Sequence, residues 1–306
     1  MRLRRLPVGD IRPPKEAGGC VTVTGMPPPE SSSGSTERLL ARLRGIDGLV
    51  VAFSGGVDSG VVLAGAVRAL GTDRVVAATA ISGSLAAQEL DGAADFAAEL
   101  GVRHLTPSTD ELSRPGYRDN GGDRCYFCKS ELLDVLAPLA VEHGLPYVAT
   151  GTNADDLRAG FRPGIRAAAE RGAITPLADA GLTKDDVRQI ARAWSLPLWD
   201  KPAAACLSSR IAFGIRITPE RLARVERAEH ALRSALGAAG LHTRNLRVRD
   251  LGDGARVEVD AGLIATLAGR PDLLEQVTGF DRVELDPLGF RSGAMNELLP
   301  DPARFR

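Results

Sequence analysis

The chain has 306 residues, 44% hydrophobic and 25% charged, enough to bury a full core in one large or two ordinary domains. Lys and Arg number 38 against 39 Asp and Glu, and aromatics make up 4%, so neither a basic field nor a stacking surface recommends a nucleic-acid partner; a local phosphate-binding patch stays open. No run of 18 apolar residues reads as a membrane span, and four cysteines at this length do not make a disulfide scaffold.

Residues 1–34 are rich in Pro, Gly and Ser and read as a disordered extension. Their basic start, MRLRRLPVGD, lacks the apolar core of a secretory signal. The expected location is therefore the reducing cytoplasm, where spaced cysteines suggest metal or redox chemistry. Cys20, in the extension, reads as a bystander; only if it joined the other three would a closed four-thiolate site arise.

From STERLLARLRGIDG onward, helical and strand patterns alternate. A helix near 35–45 precedes the strand GLVVAF, the helix GVVLAGAVRAL, the strand RVVAATA and the helix AAQELDGAADFAAELG. A short strand near VRHLTP, the helix CKSELLDVLAPLAVEHG, the strand YVATG and the helix TKDDVRQIARAWS follow. Strands separated by such helices predict an α/β fold, a Rossmann-like parallel sheet with helices on both faces, over 35–215. The pattern then changes. TPERLARVERAEHALRSALGAAG reads as an amphipathic helix with Thr218 as cap, Pro219 in the first turn and Gly240 past the end. RNLRVRDLGDGARVEVD reads as a hairpin around GDG, and two short helices and the strand RVELD complete a smaller α+β domain over 216–306.

In a doubly wound sheet, the first strand-to-helix turn is the usual phosphate cradle. Here it reads SGGVDS, residues 54–59. Gly55 and Gly56 allow close backbone approach, Ser54 and Ser59 add hydroxyls, and the following helix adds its N-terminal partial charge. The negative Asp58 suits an anion site only beside Mg²⁺ or a hydroxyl. Neither the Walker A pattern nor the GxGxxG fingerprint is present. SGGVDS after a buried strand instead resembles the PP-loop of ATP pyrophosphatases, enzymes of adenine nucleotide alpha hydrolase-like fold that transfer AMP to a substrate oxygen. The resemblance implies that Ser54, Gly55, Gly56, Val57, Asp58 and Ser59 hold the phosphates of ATP and Mg²⁺. It implies that Ala80 and Ser82 in TAISGS face adenine and ribose, and that Thr152, Asn153 and Asp156 in GTNADD lie near the nucleotide. The plainer alternative for GTNADD is an Asx-rich cap on the next helix.

Cys125 and Cys128 form a C-x-x-C pair at a helix start in GDRCYFCKSELL, and Cys206 follows in KPAAACLSSRIAFG. Three thiolates could hold three irons of a 4Fe–4S cluster and leave the fourth open; an incomplete zinc site, a redox pair or buried small residues are the alternatives.

The order SGGVDS, RCYFCK, GTNADD, KPAAACLSSR, extended by RVERAEHALR, LRVRDLGDGARVEV and FDRVELDPLGFRSGAMN, closely resembles the LarE family. That resemblance implies an ATP-dependent sulfurtransferase of the nickel-pincer nucleotide cofactor of lactate racemase. Such enzymes adenylate the carboxylates of pyridinium-3,5-biscarboxylic acid mononucleotide and replace them with thiocarboxylates. Members with three cysteines matching Cys125, Cys128 and Cys206 carry a labile sulfide on a 4Fe–4S cluster, which makes these residues metal ligands as well as catalytic ones. Members with one cysteine sacrifice the thiol matching Cys206. All three are present, so the cluster route is expected. By the same resemblance, Arg247 and Arg249, which share one face of a strand, grip the substrate phosphate at a subunit junction beside Glu229. Arg210 and Lys129 orient the substrate or steady the leaving AMP, while Tyr126 and Phe127 fit the core equally well. A homohexamer, a sulfide donor and other cofactor-maturation proteins are the partners implied. A tRNA thiolase is the alternative, opposed by the neutral charge and the lack of an RNA-binding appendage. Amide-forming synthetases and non-catalytic nucleotide sensors leave the cysteines unexplained.

Overall fold

The computed structural model describes residues 32–202 and 205–299. Most of the expected extension, with Cys20, lies outside these residues. The first helix, α1 (Ser32–Arg44), already takes in residues 32–34. It leads to β1 (Leu49–Ala52), α2 (Val57–Leu70), β2 (Val75–Ala78), α3 (Ala87–Glu99) and β3 (Arg103–Leu105). Next come α4 (Pro115–Arg118), α5 (Arg124–Glu142) and β4 (Tyr147–Ala149), then α6 (Ala154–Arg158), α7 (Pro163–Glu170), α8 (Pro176–Asp179) and α9 (Lys184–Ala193).

The four strands form one parallel sheet in the order β3-β2-β1-β4, with Leu49 opposite Val75 on one side and Tyr147 on the other. Strand residues alternate between two cores. Leu49 and Val51 pack with α1, α2, α3 and α9, whereas Val50 and Ala52 pack against Leu133, Leu136 and Ala140 of α5 and Ala168 of α7. This is the expected α/β sandwich. Its strand order reverses between β1 and β4, and a doubly wound sheet opens its ligand crevice there, beyond the carboxyl ends of the strands. Both SGGVDS and GTNADD emerge at that point. Three short helices between β4 and α9 were not expected; each covers eight residues or fewer, too few for a readable period.

The smaller unit begins with α10 (Pro219–Ala238), followed by β5 (Leu246–Asp250), β6 (Gly254–Val259), α11 (Ile264–Ala268), α12 (Pro271–Leu274) and β7 (Arg282–Leu285). Thr218 accepts a hydrogen bond from the Arg221 N–H at 3.3 Å, Pro219 opens the first turn, and Gly240 takes the left-handed conformation past the end. β5 and β6 form the expected antiparallel hairpin, and β7 joins β6 in parallel. Leu222, Val225, Ala228, Leu232 and Leu236 mark the buried stripe of α10. Part of that stripe meets Tyr117, Leu207, Ile211 and Ile217 in an apolar cluster that joins the two sheets, reinforced by a hydrogen bond from the Ala212 N–H to the Asp250 carbonyl at 2.9 Å.

Candidate active site

The SGGVDS turn needs its first glycine. Gly55 has φ 70°, a conformation that penalises a Cβ, and Gly56 then caps α2 in extended geometry. Ser59 Oγ accepts from the Ser54 N–H at 3.2 Å and donates to the Gly56 carbonyl at 3.1 Å, which closes the loop on itself. Val57 is 4% exposed and joins the core, so only its backbone can serve a ligand. Gly151, after β4, lies so close that a Cβ there would stand 2.7 Å from the Ser59 nitrogen.

Asp58 accepts from Asn153 Nδ2 at 3.2 Å and pairs with the Lys184 ammonium. Asn153 also caps α6, accepting from the Asp155 and Asp156 N–H groups at 3.0 and 3.1 Å, while Asp156 accepts from the Asn153 N–H. The cap reading of GTNADD holds, and the amide of the capping Asn153 also holds Asp58. Sequence reasoning missed Lys184, 126 positions from its partner. It also missed Lys201, whose Nζ donates to the Gly55 carbonyl at 3.0 Å and to Glu89 at 2.8 Å. Lys201 had a signal, since it opens the KPAAAC segment.

Three cavities adjoin. A cleft of about 560 Å³ is lined by Ser54, Asp58, Ser59, Ala80, Thr152 and Asp156, and by Cys125 and Lys129. Ser54, Ala80, Leu85 and Leu132 also line a chamber of about 160 Å³ that contains Cys128, Cys206, Ser82 and Glu111. Ser82 thus faces the thiols, donating to Glu111 Oε1 at 2.6 Å, as does Ser84. Ala86, Glu89 and Ala205 connect that chamber to a third cavity of about 410 Å³, walled by Arg210, Glu229 and Arg247 together with Arg227, His230 and Arg233. These last three lie on one side of α10 and were missed, although a polar stripe opposite an apolar one was legible there.

Cys125 and Cys128 occupy the first turns of α5, and Cys206 precedes a short 3₁₀ turn, Leu207–Arg210. Cys125 and Cys206 are exposed, Cys125 on a cleft wall where the surrounding protein disfavours its thiolate. Burial pushes the Cys125 thiol up; the Arg124 charge opposes this and Cys206 adds to it. Burial also pushes Cys128 up, aided by Cys206 and Glu111. Lys129 shifts down because burial disfavours its ammonium. Among the described residues, no three His, Cys, Asp or Glu side chains converge as one metal ion requires. A cubane cluster makes a different demand, since each thiolate binds a different iron and the ligands surround the cluster. Three thiols on adjoining walls suit that donor chemistry.

In the third cavity, Arg210 Nε and Nη2 meet Glu229 at 2.9 and 3.2 Å, and the same carboxylate accepts from the Val248 N–H at 3.0 Å. Arg247 is 7% exposed; burial and then the neighbouring Arg210 push its pKa down to about 10. Arg249 does not line this cavity. It is buried against Glu258 at 2.6 Å and donates to the Ser209 carbonyl. The two arginines expected to act as a pair are thus differently engaged.

Residues 38–115 match the NAD synthase family. The chain is 44% identical over 259 residues to the uncharacterized protein slr1717 of Synechocystis sp., covering 83% of this chain and 94% of that protein. It is 36% identical over 264 residues to the pyridinium-3,5-bisthiocarboxylic acid mononucleotide synthase of Lactiplantibacillus plantarum, covering 85% of this chain and 93% of that enzyme. An uncharacterized protein of Methanocaldococcus jannaschii, MJ0830, is 30% identical over 175 residues, 56% of this chain and 66% of that one.

Proposed function

The chain belongs to the LarE family of ATP-dependent sulfurtransferases, and we propose that it converts pyridinium-3,5-biscarboxylic acid mononucleotide to its bisthiocarboxylate for the nickel-pincer cofactor of lactate racemase. The observation that carries this reading is the run of three cavities, with thiols in the middle one. ATP belongs in the first, against the Ser54–Ser59 loop, with Thr152 and Asp156 beside it. The substrate phosphate belongs in the third, against Arg247 and the Arg210–Glu229 pair. A carboxylate directed from there into the chamber attacks the α-phosphorus, and the bond to pyrophosphate breaks. Sulfur then attacks the acyl carbon, and the bond to AMP breaks. Asp58 takes Mg²⁺ as the metal arrives with ATP, which frees Lys184 for the phosphates. Lys129 neutralises the departing AMP across the cleft. When bound, a 4Fe–4S cluster on Cys125, Cys128 and Cys206 supplies a sulfide at the iron no cysteine holds. Sacrifice of the Cys206 thiol is the alternative for the same reaction.

We assign residues 35–215 to ATP and sulfur chemistry and 216–306 to substrate binding and assembly. A cytoplasmic homohexamer, served by a sulfide donor and other maturation proteins, accords with this reading.

Anaerobic protein given ATP, Mg²⁺ and the dicarboxylate nucleotide should yield AMP and a thiolated product by mass spectrometry. Thiolated tRNA without thiolated nucleotide would transfer the chain to the tRNA thiolases. Cys125→Ala and Cys128→Ala should each abolish multiple turnover. Undiminished turnover in both would dismiss the cluster, and dehydroalanine at Cys206 would establish the sacrificial route.

A further inference from the structure

Cys206 lies on irregular backbone, so neither a helix nor a strand ladder sets its distance from Cys125 and Cys128 on α5. Arg210 Nη1 and Ser209 Oγ donate to the Cys206 carbonyl at 3.0 and 2.7 Å, and a buried polar group holds the stretch that follows. Asn120 is fully buried in a left-handed conformation, φ 54°, and spends both amide hydrogens on the Ala212 and Ile215 carbonyls, each at 2.9 Å. Its own carbonyl accepts from the Gly214 N–H at 3.1 Å. Asn120 Oδ1 accepts from Arg124 Nη1, which also donates to the Ser208 carbonyl at 3.0 Å. The Tyr117 hydroxyl pairs with Ser208 Oγ. These bonds tie the backbone just before the C-x-x-C pair to the backbone that follows Cys206.

Arg124 carries a second signal. It is 6% exposed and immediately precedes Cys125; its guanidinium bonds the Asn120 and Ser208 oxygens and the Cys125 thiol and lies 5.2 Å from the Phe213 ring, yet it pairs with no carboxylate among the described residues. A buried guanidinium without a counter-ion is costly. The anions at hand are the thiols, which ligate iron as thiolates.

We propose that Asn120 and Arg124 are positioning residues of the sulfur-carrying centre: they clamp Cys206 opposite Cys125 and Cys128, and Arg124 supplies the counter-charge. This rests on reading the three thiols as one centre.

The spacing is tested on iron-free chain carrying Cys20→Ser and Cys125→Ser, so that Cys128 and Cys206 alone remain, by the fluorescence dibromobimane gains when it bridges two thiols. Asn120→Ala should slow bridging about ten-fold, the lower range for loss of a supporting contact. Asn120→Asp, which keeps the acceptor for Arg124 and loses the amide hydrogens, serves if truncation unfolds the chain. Equal bridging rates would overturn the clamp. The charge is tested by anaerobic reconstitution of the full chain: Arg124→Gln should hold iron and sulfide against a chelator about ten-fold less tightly than wild type. Equal retention would overturn the counter-charge. A wild-type chain that takes up no iron while Asn120→Ala still slows bridging would remove the cluster and the counter-charge and leave the clamp standing.

Discussion

Asp58 holds two neighbours by its two oxygens, an amide and an ammonium, and it can release the second cheaply. Lys184 is 36% and Asp58 25% exposed, and pairs this open contribute roughly 0–1 kcal/mol. Exchange for a divalent ion costs the loop little. Lys184→Ala should therefore fold normally but raise the KM for ATP about ten-fold, the worth of one charged hydrogen bond, in a pyrophosphate-release assay. Gly151→Ala works on the same spot by volume. Its Cβ would displace the start of α2, so we expect ATP binding to weaken and stability to fall by about 1–3 kcal/mol in chemical denaturation. Asp58 was legible because its charge contradicts an anion cradle. Lys184 was not, since nothing local marks a lysine whose partner is more than a hundred positions away.

Among the elements, α9 shows how a helix start can bear on the site. Thr183 and Asp186 form a reciprocal cap, with the Asp186 N–H donating to Thr183 Oγ1 at 3.2 Å and the Thr183 N–H to Asp186 at 2.9 Å. Lys184 is the first residue of that helix, so the cap also aims its side chain. Thr183→Ala should cost about 1 kcal/mol by denaturation and blur ATP binding with it. Burial alone would raise the Asp186 carboxyl, but hydrogen bonds from Thr183 and Ser35 more than offset it and hold it below the usual carboxylate range. A depressed carboxyl stabilises the fold above its unfolded pKa of about 4, and the benefit fades as pH falls through the folded value. The Tm gap between wild type and Asp186→Asn should accordingly be widest near neutrality and narrow on acidification below about pH 4. The strands, long helices and caps were readable because period and cap chemistry are local. The short α6, α7 and α8 were not, because tertiary contacts, not propensity, hold helices of so few residues.

Across the whole molecule, the engagement of the small sheet's arginines could not be read from spacing. Arg247 and Arg249 alternate along β5 as expected, but Glu258 on β6 claims Arg249, leaving both groups at most 7% exposed. Glu258→Gln would strand a buried guanidinium and should cost about 3–5 kcal/mol in equilibrium unfolding. The motif order supplied the candidate residues. Their arrangement as three connected rooms depended on how α3, α5 and α10 come together.

The size of the middle room has a kinetic consequence. At about 160 Å³ it can receive one acid group and part of a pyridine ring, not a whole mononucleotide anchored by its phosphate outside. Under the proposed chemistry, a diacid can then present only one end per visit and must back out and flip its ring before the other is processed. Synthesis would be distributive: the half-converted nucleotide should pile up first in a time course, and a chase of unlabelled diacid should dilute the label in the doubly converted product.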